Sequence, residues 1–286
     1  KYSVDLLAAI NGSPTQGFGY TTLMTNNGKM VNRGVEITLS GEIIRQKDFS
    51  WNASLLYAFN RNKVKHISVQ PSLWDSRISM PTSYPMVGKP LYGIYAYKWA
   101  GLNENGDPQV YDAENNVTSG PARDYHALVY CGTTVPIHNA SLTNVLRYKG
   151  FEFSAMLILD AGHKLRSSNI PSINMSNGRI TSTAKGIVDR WTQPGDVTDV
   201  PRLLFSNDTE NFNTHRTELY RYSDLFVYDA SNIRLSNISL AYRVPAHWCK
   251  KISLSGARLQ FNVENVATFA FDSKANYDLG GKVKPN

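Results

Sequence analysis

Val35-Glu-Ile-Thr-Leu-Ser-Gly-Glu-Ile-Ile-Arg45-Gln-Lys-Asp48-Phe-Ser-Trp51-Asn-Ala-Ser-Leu-Leu-Tyr-Ala-Phe59 is the stretch that decides the fold. Its odd positions begin Val35, Ile37, Leu39, Gly41, Ile43, and its even ones Glu36, Thr38, Ser40, Glu42, Ile44. Four polar residues, Arg45-Gln46-Lys47-Asp48, interrupt the pattern. It then resumes with Trp51, Ala53, Leu55, Tyr57 and Phe59 against Asn52, Ser54, Leu56, Ala58 and Asn60. A period of two places successive side chains on opposite faces of a strand, so this is a hairpin with one apolar face.

The same arrangement recurs around Lys149-Gly150. Phe151, Phe153, Ala155, Leu157 and Leu159 alternate with Glu152, Ser154, Met156, Ile158 and Asp160. The strand before that turn alternates more weakly, Leu142, Asn144, Leu146 and Tyr148 against Ser141, Thr143, Val145 and Arg147. A third short turn is expected at residues 245–251. In the strand before it Ile233 and Leu235 share one parity but Ile238, Leu240, Tyr242 and Val244 the other, so a β-bulge is expected near Ser236-Asn237. Between the hairpins lie polar segments, residues 62–139 and 163–228, far longer than ordinary connections in a compact domain. Short turns on one side and long loops on the other are the plan of an all-β, transmembrane antiparallel barrel with periplasmic turns and extracellular loops.

Alternation alone also fits a soluble β-sandwich, such as a carbohydrate-binding module whose aromatics grip sugar. The placing of aromatics favours the barrel. Trp51 stands beside a turn and Phe59 eight residues on, both on the apolar face. Eight steps of ~3.3 Å, tilted by about 40°, rise about 20 Å, close to the height of an apolar band with aromatic girdles. Tyr148 and Phe151 flank the second turn in the same way, and Tyr242 and Trp248 the third.

Composition excludes more than it selects. A chain of 286 residues with 42% hydrophobic content is no disulfide-stapled miniprotein. A mean hydropathy of −0.33 without a long apolar run excludes a helical membrane span but not a barrel, whose lipid face uses every second residue. The formal charge of +7 is carried by residues spread along the sequence, not gathered into a run, so no nucleic-acid partner is expected. The opening stretch from Tyr2 to Ile10 reads as a strand without a leader before it, as in an internal piece of a longer chain.

Several stretches resemble, in order, the signatures of the SusC/RagA-type TonB-linked outer-membrane transporters. Met24-Thr-Asn-Asn-Gly-Lys-Met-Val-Asn-Arg-Gly-Val-Glu36 is similar to that family's N-x-G-x-x-x-N-x-G-x-E. Val87-Gly-Lys-Pro-Leu-Tyr-Gly-Ile-Tyr-Ala-Tyr97 with Gly101-Leu-Asn-Glu-Asn-Gly-Asp-Pro108 resembles its G-x-P segment and the G-(I/L)-(D/N)-x-x-G-x-P that follows. Trp191-Thr-Gln-Pro-Gly-Asp196 with Pro201-Arg202 resembles its W-x-P loop, residues 229–245 its D-x-(S/D) strand, and residues 259–269 the strand after that. The resemblance implies that residues 1–286 are the C-terminal portion of a barrel of about 22 strands, with the plug domain and the final strand outside this segment. It further implies import of oligosaccharides or peptides through the outer membrane, a SusD-like surface lipoprotein as cap, TonB engaged through an upstream segment, and lipid around the barrel.

No catalytic constellation stands out, so no enzyme is expected. Six scattered histidines lack metal-ligand spacing, and residues 93–101 lack the glycine spacing of a phosphate loop. Asn103, Asn105 and Asp107 alternate like the start of a calcium loop, but Gly106 falls at the fourth position and not the sixth, which favours a plain turn. Neither metal nor cofactor is therefore expected. Cys131 and Cys249 fall on opposite sides of the expected topology, too far apart to bridge. Within the long loops Trp74, Tyr84 and Trp191 are the candidate substrate-binding aromatics, by stacking on sugar rings or packing on peptide side chains.

Overall fold

In the computed structural model, residues 2–11, 22–67, 76–120, 124–175, 185–205, 214–251, 253–276 and 278–280 are described, with backbone alone for 2–11, 22–27, 76 and 214. Seven long strands form one antiparallel meander: β1 (Tyr2–Asn11), β2 (Thr22–Arg45), β3 (Phe49–Ile67), β4 (His138–Tyr148), β5 (Phe151–Ala161), β6 (Asn232–Arg243) and β7 (Arg258–Ala270). Each pairs with its neighbours in chain order. The chain divides into two compact units. One comprises Arg33–Arg61, Pro136–His163 and Asp229–Asn286; the other comprises Lys1–Asn32, Asn62–Val135 and Lys164–Tyr228.

The strand unit has six strands and a sorted pair of faces. Directly opposed residues share a face, and the rows read Phe49–Tyr148–Phe151–Tyr242–Leu259, then Trp51–Leu146–Phe153–Leu240–Phe261, then Leu55–Leu142–Leu157–Leu235–Ala267. The intervening rows are polar, among them Asn52–Val145–Ser154–Ser239–Asn262. On β2 the Ser40 hydroxyl meets Ser54 at 2.7 Å, which aligns Val35, Ile37 and Leu39 with the apolar face. That face is uncovered: Leu259 and Phe261 are each 68% exposed. Apolar rows left open on one face of a sheet, with polar rows on the other, are the wall of a β-barrel that meets lipid outside and water inside.

The weak alternation of β4 has a physical reason. Asn144 falls in an apolar row, where its side-chain oxygen accepts from Trp51 Nε1 at 3.1 Å. His138 also falls on the apolar face, its Nδ1 2.8 Å from the Tyr57 hydroxyl. Each polar group enters the lipid side already paired.

The turns differ among themselves. Lys149 and Gly150 both have positive φ, 44° and 89°, which is the two-residue turn whose twist matches a hairpin. Arg45 and Phe49 are joined by the expected tight turn, closed by Gln46 N–H donating to the Phe49 carbonyl at 2.8 Å. The third turn is longer than the sequence suggests. Pro245 lacks the N–H that pairing requires, and the chain instead forms a short helix α2 (Ala246–Lys251) before β7 begins at Arg258. Ser236 is the extra residue of the expected bulge on β6. Opposite it β7 carries a second irregularity, with Asn265 at φ 52°. From Ala155 to Leu157, Leu235 to Ile238 and Val263 to Ala267, β5, β6 and β7 cover the same height in progressively more residues.

The loop unit inverts this burial. Its largest core packs Tyr95, Tyr97, Val110, Ala127, Leu128 and Leu219, and a second packs Ile173, Tyr220 and Phe226. Tyr95 is 1% and Val110 0% exposed. Gly93–Tyr97 pairs with Leu128–Thr133; Trp99–Leu102, Pro108–Tyr111 and Val117–Thr118 form a small meander. The helix α1 (Thr214–Arg221) supplies Leu219 and Tyr220 to the cores. In their described residues, the segments that composition marks as long loops are thus ordered structure.

Candidate functional site

The two turns of the small meander are capped by their own side chains. Asn103 Oδ1 accepts from the N–H groups of Asn105 and Asp107, each at 2.9 Å, and Asp112 Oδ1 accepts from Asn116 N–H at 2.7 Å. This is the plain turn that the position of Gly106 favours. Its remaining carboxylate, Asp107, is engaged by two arginines. Arg202 donates through Nε at 3.0 Å and through a terminal nitrogen at 2.8 Å; Arg216 donates through Nε at 3.0 Å. Arg216 has a side chain only 3% exposed, and it also donates to the carbonyls of Ile173 at 3.2 Å and Arg202 at 2.7 Å. Burial pulls its pKa down while Asp107 pushes it up.

Asp107 thereby joins two motifs that are distant in sequence. Arg202 N–H donates to the Gly106 carbonyl at 3.0 Å, and the Trp191 indole lies directly on Gly106. A Cβ at Gly106 would overlap that ring, and φ there is 74°. The loop holding Trp191 is itself capped, with the Asp196 carboxylate accepting from Thr192 N–H at 2.8 Å, Thr192 Oγ1 at 2.8 Å and Gln193 N–H at 3.0 Å. These bonds hold the Asp196 pKa below the usual carboxylate range. Beside Trp191, a groove open to solvent is lined by Leu102, Glu104, Asn105, Pro194 and Val197.

Two further arginines fasten the loop unit through backbone carbonyls. Arg77 donates to Tyr84 O at 3.3 Å and lies over the rings of Tyr95 and Tyr125, at 5.8 and 4.9 Å. Arg166 donates to Tyr95 O at 2.6 Å and to Ser223 O at 3.3 Å. Sequence reasoning missed this set, because an arginine bound to carbonyls leaves no spacing signal.

Among the three candidate aromatics, Trp191 borders the groove, Tyr84 is 4% exposed and packed inside, and Trp74 lies outside the described residues. Tyr84 and Trp191 share none of the partners named above. Both cysteines are free thiols. Burial, with Asp224 adding to it, pushes the Cys131 thiol up to about 11.

No protein-family model matches the chain. The TonB-dependent receptor P3 of Formosa agariphila is 25% identical over 280 residues, covering 91% of this chain and 26% of that protein. The TonB-dependent receptor SusC of Bacteroides thetaiotaomicron is 22% identical over 263 residues, covering 87% of this chain and 24% of that protein. The chain therefore spans about a quarter of the length of these curated relatives. Among solved structures, that of the RagAB peptide transporter matches with a TM-score of 0.71 at 20% identity, over 95% of this chain and 29% of that one. The RagAB importer in its closed-closed state matches at 0.70, likewise at 20% identity, over 98% and 30%. The chain is similar in sequence to TonB-dependent receptors, and its fold is part of an outer-membrane β-barrel.

Proposed function

We propose that residues 1–286 are the C-terminal portion of the barrel of a nutrient importer that carries oligosaccharides or peptides across the outer membrane. In this reading a plug domain and a closing strand lie outside the segment, TonB acts through an upstream segment, and a SusD-like lipoprotein caps the outer face. The observation that carries the reading is the inversion of burial, with apolar side chains exposed along the strands and buried within the long loops. A soluble sandwich would cover the apolar rows with a second sheet, and here they stand open.

The arginine-fastened loop unit supports the cap and substrate roles, since a partner binds at lower entropic cost to a surface that is already ordered. Trp191 is the candidate contact best placed for substrate, with an indole for stacking beside Glu104 and Asn105 as hydrogen-bonding groups. Tyr84 and Trp74 are retained as the other two candidates.

The test is purification of the full-length tagged transporter from outer membranes in mild detergent, combined with growth of a deletion strain. A co-purifying surface lipoprotein and lost growth on defined oligosaccharides or on peptides are expected. A transporter that purifies alone, in a strain whose growth on both nutrient classes is intact without it, would refute the assignment.

A further inference from the structure

The basic residues that look scattered in sequence collect at one end of the six-stranded sheet. The turn after β2 carries Arg45 and Lys47 against Asp48, and the turn after β4 carries Arg147 and Lys149 against Glu152. The connection from β6 to β7 carries Arg243, Lys250, Lys251 and Arg258 with no carboxylate. With Glu42, which Arg45 meets at 3.5 Å, eight cations against three carboxylates leave a surplus of five there, out of +7 for the whole chain. This end, where the short turns lie, is the periplasmic rim.

The rim has two sides. Toward the polar face Glu152 is held by Arg147 at 2.8 Å and Arg258 at 3.0 Å, so those cations are occupied. On the lipid-facing side the last apolar row ends in Tyr148, Phe151, Tyr242 and Leu259, and Lys149 Nζ stands 5.3 Å from the Tyr148 ring centre. The helix α2 follows this row in the chain, beginning four residues after Tyr242. Cys249 is buried, its thiol donating to Val244 O at 3.8 Å, whereas Trp248 is 55% exposed and Leu254, Lys250 and Lys251 are exposed as well. Among the described residues no carboxylate pairs with Lys149, Lys250 or Lys251.

We propose that α2 and the adjoining rim form a binding site for anionic phospholipid headgroups of the periplasmic leaflet. Trp248 and Leu254 enter the interfacial layer, where an amphipathic ring and an aliphatic side chain are favoured, and Lys250 and Lys251 reach the phosphates. Charge complementarity selects the lipid, and continuity with the apolar rows places it. An acidic protein surface would match the charge alone and would leave Trp248 and Leu254 without a reason to be exposed. The inference rests on the barrel reading.

The experiment titrates the full-length transporter in detergent with phosphatidylglycerol and, separately, phosphatidylethanolamine, with bound lipid counted by native mass spectrometry. Phosphatidylglycerol should be retained preferentially, more weakly as salt rises, and K250E/K251E should lower its retention by more than about thirtyfold. The milder K250Q/K251Q, with a loss of about thirtyfold, serves if charge reversal impairs assembly. Quenching of tryptophan fluorescence by brominated phosphatidylglycerol should diminish in W248F. Equal retention of the two lipids, or variants that retain phosphatidylglycerol as the parent does, overturns the proposal. Variants that keep the lipid but lose a periplasmic protein partner overturn it too. The parent should migrate faster on a gel unheated than heated, as intact barrels do; absence of that shift overturns the barrel reading itself, whereas a shift without lipid preference overturns only this site.

Discussion

Leu55→Arg and Ser54→Arg place the same charge one residue apart and on opposite faces. Leu55 stands six residues beyond Phe49, the row at the periplasmic turn. Six steps of ~3.3 Å at a tilt of about 40° bring it about 15 Å above that row, near the middle of an apolar band about 25 Å tall. Its row neighbours are Leu142, Leu157 and Leu235, none of which accepts a hydrogen bond. An arginine there should cost about 2–4 kcal/mol. Ser54 faces the polar side, where the substitution forfeits the hydroxyl contact with Ser40 at 2.7 Å, a loss of about 1 kcal/mol. Leu259→Arg, in the row beside the turn, should cost about 0–1 kcal/mol. Urea unfolding of the full-length transporter in liposomes, followed by tryptophan fluorescence, should rank the three Leu55, then Ser54 and Leu259. Leu55→Arg and Ser54→Arg agreeing within about 0.5 kcal/mol would refute the assignment of faces.

Arg216→Met leaves Asp107 with one arginine, takes the arginine donor from the Arg202 carbonyl and leaves the Ile173 carbonyl with the Leu204 N–H, so local opening of the loop unit should become about 3 kcal/mol easier, read as faster hydrogen exchange in residues 101–111 and 191–202. Gly106→Ala must hold φ at 74° beneath the Trp191 ring; about 1–3 kcal/mol of strain should loosen the same segments, with the strand unit unchanged. Cys131, its thiol pushed up to about 11, should alkylate slowly at neutral pH, and a peptide digest should contain no Cys131–Cys249 pair. His163 is 8% exposed, its Nδ1 has no hydrogen-bond partner among the described residues, and burial lowers its pKa below 6.5 against the opposing pull of Asp160 and Asp229. The unfolded state therefore takes up the proton first, so stability should fall as pH drops below about 6.5, a dependence that His163→Asn should flatten.

The strands were legible because a barrel wall presents two solvents, and each residue of β3 or β5 answers to one of them independently of distant sequence. Local alternation then suffices. The bulge at Ser236 was legible for the same reason, as a break in parity. α2 was not, since Pro245 signals only that pairing stops and says nothing of how far the chain travels before Arg258. The loop unit was the least legible part. Its order depends on Arg166 and Arg216 reaching carbonyls far along the chain, and a carbonyl is offered by every residue. Trp191 and Arg202 carried a family resemblance, yet nothing in the sequence named Gly106 and Asp107 as the surfaces they meet. The basic rim escaped notice because charges far apart in sequence become neighbours only when three turns align.

The stacked irregularities at Ser236 and Asn265 bear on which length changes these strands tolerate. Elsewhere on β5 or β6 a single inserted or deleted residue exchanges the wet and dry sides of everything beyond it, and only changes in pairs preserve both. At Ser236 one residue has already been spent on that exchange, and opposite it β7 holds a compensating step at Asn265. Removing Ser236 would leave Ile233 and Leu235 facing lipid and Arg234 facing water, because Asn237 and Leu235 already pair with the adjacent residues Met156 and Leu157. Single-residue variation in homologous chains should therefore collect at the turns and at this one level of the wall, as a record of where the parity of the strand is negotiable.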